Sequence, residues 1–172
     1  FGADHHGYVP RMKAAIAALG KPPESYHAIV HQLIHLFRGQ EAVKMSKRAG
    51  TFISLRELID EAGKDACRFF FALRTPDSHL NFDLELAKKQ SSENPVFYVQ
   101  YVHARIGSFF RKAAELGLWK KDEGLPMPNA RYLAAPEERA LILKLAWFPE
   151  VLLDAERFLS PHPLANYLME LA

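Results

Sequence analysis

The residue pattern of this chain changes near residue 82, and that change constrains the fold more than any other feature. Before it, short apolar runs alternate with glycine-containing turns, which is typical of a protein built from both strands and helices. After it, apolar residues recur three and four positions apart, the spacing of helices that pack on one side. The sequence therefore predicts an α/β domain at 1–82, followed by an all-α helical domain at 83–172.

Start and stop signals place individual elements of the first region. They predict helices at 10–19, 55–62 and 64–74. The apolar spacing at 26–37 fits both a strand and a helix poorly, and we favour a strand, followed by a turn at Arg38-Gly39-Gln40 and a short partner strand at 41–43. Ser54 and Glu57 have the spacing of a capping box at the start of the helix at 55–62.

The second region contains several proline signals. Pro95 predicts the first turn of a long helix at 95–116, and a Pro- and Gly-rich loop follows at 120–136. Two or three helices close the chain. We expect Pro149 to break or kink the helix that begins at Glu137, and Ser160-Pro161 to cap and open the last one.

Composition excludes several classes of protein. An apolar share of 49% and a charged share of 24% are typical of globular domains, and no apolar run is long enough to span a membrane. The single cysteine, Cys67, excludes an internal disulfide and predicts a reducing, cytoplasmic location. A net charge of +2 is too small to indicate nucleic-acid binding by itself, so local clusters of basic residues would have to indicate it. The chain starts at Phe1 without an initiator methionine, so we expect a piece of a longer protein.

Three cations lie close together in "VKMSKRAG", residues 43–50. Lysine ammonium groups bind phosphate oxygens, and Lys44 and Lys47 on one loop could stabilise the charge that develops on a departing pyrophosphate. Gly39 and Gly50 would allow such a loop to hinge. The alternative is an ordinary solvated turn, which a short cluster of Lys and Arg also fits.

The turn "GADHHGY", residues 2–8, raises the question of a metal site. Asp4, His5 and His6 could serve a metal-dependent phosphoesterase. However, the side chains of adjacent residues diverge, and no further ligand spacing stands out. We therefore predict no metal site and keep the phosphoesterase as an alternative.

Longer stretches give a more specific indication. "KMSKR" at 44–48 resembles the KMSKS signature of class I aminoacyl-tRNA synthetases, with Arg48 in place of the final serine. "FGADHHGYVPRMKAA" at 1–15, the stretch 43–71 and the stretch 80–117 are similar to consecutive parts of bacterial arginyl-tRNA synthetase. The resemblance implies the C-terminal part of a Rossmann-type catalytic domain, followed by the start of a helical, DALR-type anticodon-binding domain.

The resemblance also implies an activity. In that family ATP activates arginine to arginyl-adenylate, and the arginyl group then passes to tRNA(Arg) during translation. The residues matching the signature would act on ATP and the Mg²⁺ that it carries. Lys44 and Lys47 would be catalytic by neutralising the phosphates, while the remaining members would bind the nucleotide, namely Val43, Met45, Ser46 and Arg48.

The same resemblance gives roles to residues elsewhere. Asp4 would accept hydrogen bonds from the ribose hydroxyls, with Gly2 and His6 in the same ATP pocket. Arg105 and Arg111, on the long helix, would contact tRNA(Arg), because that segment interleaves basic and aromatic residues. The implied partners are tRNA(Arg), arginine and ATP, with neither DNA nor a membrane.

One departure from the family pattern limits the prediction. The second class I signature, His-Ile-Gly-His, does not occur in these residues. We therefore expect that the 172 residues alone do not catalyse. A non-catalytic tRNA-binding or assembly module derived from a synthetase is the alternative function.

Overall fold

A three-stranded sheet lies at the centre of the first region in the computed structural model, which describes residues 1–45, 52–120, 124 and 132–172. The middle strand, β1 (Ile34–Arg38), pairs antiparallel with β2 (Glu41–Ala42) and parallel with β3 (Leu80–Asp83). Residues 34–37 of β1 align with residues 80–83 of β3. A small mixed sheet with a parallel pair is therefore the framework of this region.

Four helices accompany the sheet. They are α1 (Tyr8–Ala18), α2 (Leu55–Ala62), α3 (Lys64–Ala72) and the short α4 (Leu84–Lys88). Single 3-10 turns form at Ala3–His5 and Pro23–Ser25. Gly63 joins α2 directly to α3. Its φ is 88°, a backbone angle that residues other than glycine rarely adopt.

The described part of the second region is helical. It comprises α5 (Pro95–Glu115), α6 (Pro136–Ala146), α7 (Phe148–Arg157) and α8 (His162–Leu171). Pro95 opens α5 as predicted, and the break near Pro149 is confirmed because Pro149 lies in the first turn of α7. None of the described helices has the length and apolar composition needed to cross a membrane.

One hydrophobic cluster holds the first region together. Phe82 and Leu84 are completely buried, and the Phe82 ring packs against Phe70 and Phe71 at centroid distances of 5.2 and 5.6 Å. Its ten buried members come from β1, β3 and helices α2 to α5, namely Leu36, Leu58, Ala66, Cys67, Phe70, Leu80, Phe82, Leu84, Ala87 and Val96. The cluster thus continues past residue 82, and the domain boundary placed there stays a prediction.

A second, smaller contact joins α6, α7 and α8. Tyr167 is buried, donates a hydrogen bond to the carbonyl oxygen of Lys144 over 3.0 Å and packs against the Phe148 ring. Lys144 also forms an ion pair with Glu170. These contacts attach α6 to α8 mainly through one aromatic side chain.

The strand predictions were only partly correct. Residues 26–33 do not form the predicted strand, because their backbone makes isolated contacts instead of a continuous ladder. A single bridge joins His31 to Gly2, and the N–H of Gln32 donates to the carbonyl of Pro76 over 2.8 Å. The strand β3 was not predicted. The last helix begins at His162, whose N–H donates to the Ser160 hydroxyl over 3.3 Å, so the start of the helix lies one residue later than expected.

Candidate functional site

The Gly2–His6 turn follows a short stretch of parallel backbone pairing. The N–H of Ala3 donates to the carbonyl of His31 over 2.8 Å, and the N–H of His31 donates to the carbonyl of Phe1 over 2.7 Å. The chain then turns through the 3-10 helix at Ala3–His5. A polar turn at the end of such a pairing is a common place for ligands in parallel sheets.

The Asp4 carboxylate lies beside the backbone of Gly2. A Cβ atom at residue 2 would lie 2.6 Å from Oδ1 of Asp4, closer than two such atoms can approach. The Asp4 side chain is 77% exposed, with Nε2 of His5 3.5 Å from its Oδ2. The absence of a side chain at Gly2 therefore lets an accessible carboxylate fold back over the backbone.

His6 lies on the same turn. Its Nδ1 is 3.0 Å from the carbonyl oxygen of Ala3, so the ring is held against its own turn and remains exposed. In the part of the chain that the structure describes, no group of three or more His, Cys, Asp or Glu side chains is arranged to hold a metal ion. The turn consequently offers exposed hydrogen-bonding groups, and its geometry gives the phosphoesterase alternative no support.

The β1–β2 hairpin brings Val43, Lys44 and Met45 back along β1. The turn uses Gly39 with a φ of 66°, where glycine is strongly favoured. The N–H of Val43 donates to the carbonyl of Leu36 over 2.8 Å, and the Val43 side chain packs against the hydrophobic cluster. Val43 thus anchors the start of the signature to the core.

The two residues after Val43 are exposed to solvent, unlike Val43 itself. Lys44 and Met45 are exposed, and no salt bridge joins Lys44 to another described residue. Among the residues that the structure describes, the Lys44 ammonium is thus accessible to an anionic ligand. The predicted site residues Ser46, Lys47 and Arg48, together with Gly50, lie outside the described residues.

Beyond the signature the chain is anchored again at the start of α2. The Ser54 hydroxyl accepts from the N–H of Glu57 over 3.2 Å, and Oε2 of Glu57 accepts from the N–H of Ser54 over 2.7 Å. The bond from the N–H of Ser54, and then a bond from the Ser54 hydroxyl over 2.8 Å, lower the pKa of the Glu57 carboxyl. The predicted capping box is confirmed, and Ile53 packs on the hydrophobic cluster beside it.

A group of charged side chains that sequence analysis missed lies below the hairpin. The Arg38 guanidinium donates to both carboxylate oxygens of Glu61, over 2.5 and 3.0 Å, and approaches Glu85 at 3.5 Å. Lys88 donates to Glu61 over 3.2 Å and to Glu85 over 2.8 Å. We call these four residues the Arg38 cluster.

The Arg38 cluster strongly favours the ionised form of Glu61. Hydrogen bonds from Arg38, and then from Lys88, lower the pKa of Glu61 to about 2. The i,i+3 spacing of Glu85 and Lys88 is visible in the sequence. The contacts of Arg38 are not, because they join residues 23 and 47 positions apart.

Asp83 makes a second connection to the hairpin turn. Its Oδ1 accepts from the N–H of Gly39 over 3.1 Å and from the N–H groups of Glu85 and Leu86 over 2.9 and 3.3 Å. Asp83 therefore caps α4 and holds the Gly39 turn with the same oxygen atom.

The basic residues predicted to contact tRNA lie on exposed parts of α5. Arg105 donates to the Tyr101 hydroxyl over 3.1 Å, and Arg111 donates to the Ser108 hydroxyl over 2.7 Å. Six positions separate the two arginines, which places them about 120° apart around the helix. They therefore lie on different sides of α5, although no acidic residue occurs in it before Glu115.

Comparison with known proteins gives a consistent result. Residues 99–172 match the model of the DALR anticodon binding domain. Over 99% of its length the chain is 56% identical to an arginine–tRNA ligase from Elusimicrobium minutum, and over its whole length it is 50% identical to one from Desulforudis audaxviator. The chain spans 31% and 30% of those two proteins, respectively.

Solved structures agree with the sequence relatives. A protein from Campylobacter jejuni, assigned as an arginyl-tRNA synthetase, superposes with a TM-score of 0.79 at 34% identity, over 99% of this chain and 36% of that one. The arginyl-tRNA synthetase of Thermus thermophilus gives a TM-score of 0.69 at 29% identity, over 92% of this chain and 28% of that one. The 172 residues therefore belong, as a segment that includes a DALR anticodon binding domain, to the arginyl-tRNA synthetase family.

Proposed function

We propose that the full-length protein containing these residues is an arginine–tRNA ligase, which activates arginine with ATP and transfers the arginyl group to tRNA(Arg). The observation that carries the proposal is the similarity of the whole chain to arginine–tRNA ligases, at 56% and 50% identity to two of them. Such identity spans both the hairpin segment and α5, so neither region alone accounts for it.

Two described segments would bind ATP. Asp4 would accept hydrogen bonds from the ribose hydroxyls, because its carboxylate is exposed on the Gly2–His6 turn, with His6 beside it. The antiparallel course of β2 takes the chain back past Leu36, in the direction of the residues that pair with Gly2. This direction supports one nucleotide site formed from both segments.

The signature residues would handle the phosphates and the base. Lys44 would neutralise triphosphate oxygens, since its ammonium is exposed and has no salt-bridge partner in residues 1–45, 52–120, 124 and 132–172. Lys47 would do the same for the departing pyrophosphate, together with the Mg²⁺ that ATP carries. Val43 and Met45 would border the adenine, and Ser46 and Arg48 would complete the loop.

The domain assignment follows from the same proposal. Residues 1–82 would be the C-terminal part of a Rossmann-type catalytic domain. The parallel pairing of β1 with β3 and the parallel Gly2–His31 bridge support this assignment, because Rossmann-type sheets are mostly parallel. Residues 83–172 would start the anticodon-binding domain. The single, buried Cys67 fits a cytoplasmic protein.

Contact with tRNA(Arg) would involve α5. Arg105 and Arg111 are exposed cations in a helix whose first twenty residues contain no acid, so the helix surface would attract a polyanion. Tyr101 supports the Arg105 side chain and exposes a ring on which a base could stack. Because the two arginines face different sides, we assign them to separate phosphate or base contacts.

The proposal is tested by the kinetics of arginine activation in the full-length protein. With ATP, arginine and tRNA(Arg), the Lys47→Ala variant should form adenylate about 100-fold more slowly or worse, and Lys44→Ala should show a smaller loss. Arginine affinity should hardly change. Lys89→Gln, which alters an exposed lysine outside the site, is the control.

Two results would contradict parts of the proposal. Normal single-turnover kinetics in Lys47→Ala would refute the role of that lysine. Binding of tRNA(Arg) without any arginine activation by the wild-type protein would favour the non-catalytic module. Residues 1–172 expressed alone should not charge tRNA(Arg), and charging by them would disprove our expectation that the other signature is required.

A further inference from the structure

The Arg38 cluster joins elements that lie on both sides of the signature in the sequence. Arg38 is the last residue of β1, immediately before the hairpin that leads to Lys44. Glu61 lies in the last turn of α2, the helix that begins after the signature. A bond between their side chains therefore links the strand before the signature to the helix after it.

Two further contacts limit the movement of the hairpin. Asp83 holds the N–H of Gly39, and the N–H of Val43 bonds to the carbonyl of Leu36. Together with the Arg38–Glu61 pair, they fix the turn at one end and the strand next to Lys44 at the other. Lys44 directly follows Val43, so the backbone position from which its side chain extends is fixed by the neighbouring residue.

The energetics indicate what the ion pair contributes. The side chains of Arg38 and Glu61 are 47% and 31% exposed, and partly exposed ion pairs contribute little to the stability of a fold. Two parallel N–H···O bonds nevertheless fix the relative direction of the two groups. The pair therefore contributes geometry more than stability.

We propose that Arg38 and Glu61 are positioning residues for arginine activation, which orient the hairpin so that the Lys44 ammonium meets the ATP phosphates. This inference rests on the proposed function. It assigns a role to two residues outside the signature, neither of which touches the nucleotide. Glu85 and Lys88 complete the arrangement by holding Arg38 and Glu61 from α4.

The test uses four variants of the full-length protein: Arg38→Gln, Glu61→Gln, the double variant and Arg38→Lys. ATP–pyrophosphate exchange in the presence of tRNA(Arg) gives kcat and the KM values for ATP and arginine. Each Gln single variant should lower kcat about tenfold, because small displacements of a catalytic group are costly. The KM for arginine should stay unchanged, and that for ATP should rise.

The double variant and the lysine variant separate positioning from folding. If the pair acts as one unit, the double variant should lose no more than either single variant. Arg38→Lys keeps the charge but lacks the planar fork, so its kcat should fall between those of wild type and Arg38→Gln. A general loss of folding would instead lower the active fraction equally for both substrates and leave both KM values unchanged.

Lys89→Gln is the matched control. Lys89 follows the end of α4, and its exposed ion pair with Glu93, at 2.6 Å, includes no residue of the hairpin or of the Arg38 cluster. This substitution should leave kcat unchanged. The inference is wrong if Arg38→Gln and Glu61→Gln behave like this control, or if their losses multiply in the double variant. Failure of the wild-type protein to exchange pyrophosphate would instead overturn the proposed function.

Discussion

The first region and the last three helices differ in how they bury apolar side chains. The described residues between positions 36 and 96 share one cluster of ten buried side chains, drawn from six elements. In the last three helices only Val151, Ala165 and Tyr167 are buried apolar residues, and α6 buries none. The last three helices therefore depend more on local signals, such as the proline at the start of each, whereas the sheet depends on contacts between distant residues.

The largest expected effect is at the centre of the first cluster. Phe82→Ala removes a completely buried ring that packs against Phe70 and Phe71, and should lower the free energy of unfolding by about 3–5 kcal/mol. Urea unfolding of the 172-residue chain would measure it. Phe109→Ala, at a ring that is 70% exposed, should change it by less than about 0.5 kcal/mol. Equal effects would remove the proposed difference between buried and exposed rings.

Asn94 tests the junction between the cluster and α5. Its side-chain NH₂ donates to the carbonyls of Ala87 and Lys89 over 3.0 and 2.8 Å, and its Oδ1 accepts from the N–H of Val96 over 3.1 Å. Asn94→Ala should cost about 1–3 kcal/mol, because buried carbonyls lose their donors.

Asn94→Asp separates the cap from the donors. Aspartate keeps an acceptor for Val96 but puts a carboxylate beside the two carbonyl oxygens. If the donors matter most, urea unfolding should show a loss for this variant at least as large as that for Asn94→Ala. A stability near wild type would mean that capping of α5 is the main contribution.

A smaller effect is expected among the last helices. Tyr167→Phe removes only the hydroxyl that donates to the carbonyl of Lys144, so the stability of the α6–α8 contact should fall by about 1 kcal/mol. Faster amide hydrogen exchange in α6, with α3 unchanged, would report the loss. Equal acceleration in α3 would show that the two regions unfold together.

The smallest effect concerns acid. The pKa of Glu61 is lowered to about 2, so its bonds stabilise the fold above pH 4.5 and are lost as the pH falls from about 5 to 2. Because the side chain is 31% exposed, solvent screening keeps this contribution below about 1 kcal/mol. The stability difference between wild type and Glu61→Gln should therefore shrink across that range. A constant difference would exclude the ion pair as its origin.

Local signals explain why several elements could be predicted. The capping box of Ser54 and Glu57, and the placement of Pro95, act within one helical turn, so the sequence contains all the information that defines them. Gly39 at the hairpin turn is likewise a local signal, because its positive φ favours glycine at that one position.

Elements that depend on distant partners were missed. β3 contains Asn81 and Asp83, which are unfavourable in strands, and forms because it pairs with β1 and buries Leu80 and Phe82. Arg38 looked like part of a simple turn, because Glu61 is not visible as its partner in the sequence. The proposed roles of Lys44 and Asp4 come from the family resemblance, which gave no indication of the Arg38 cluster.

The pairing of β1 with β3 has a consequence for synthesis on the ribosome. The two strands are separated by roughly 40 residues, which take about 2–8 s to translate at the usual rate of elongation. During that interval α2 and α3 can form, whereas Leu36 has no strand beside it on the β3 side. The signature is therefore made early, and the sheet that supports it is completed only after Asp83 has been synthesised.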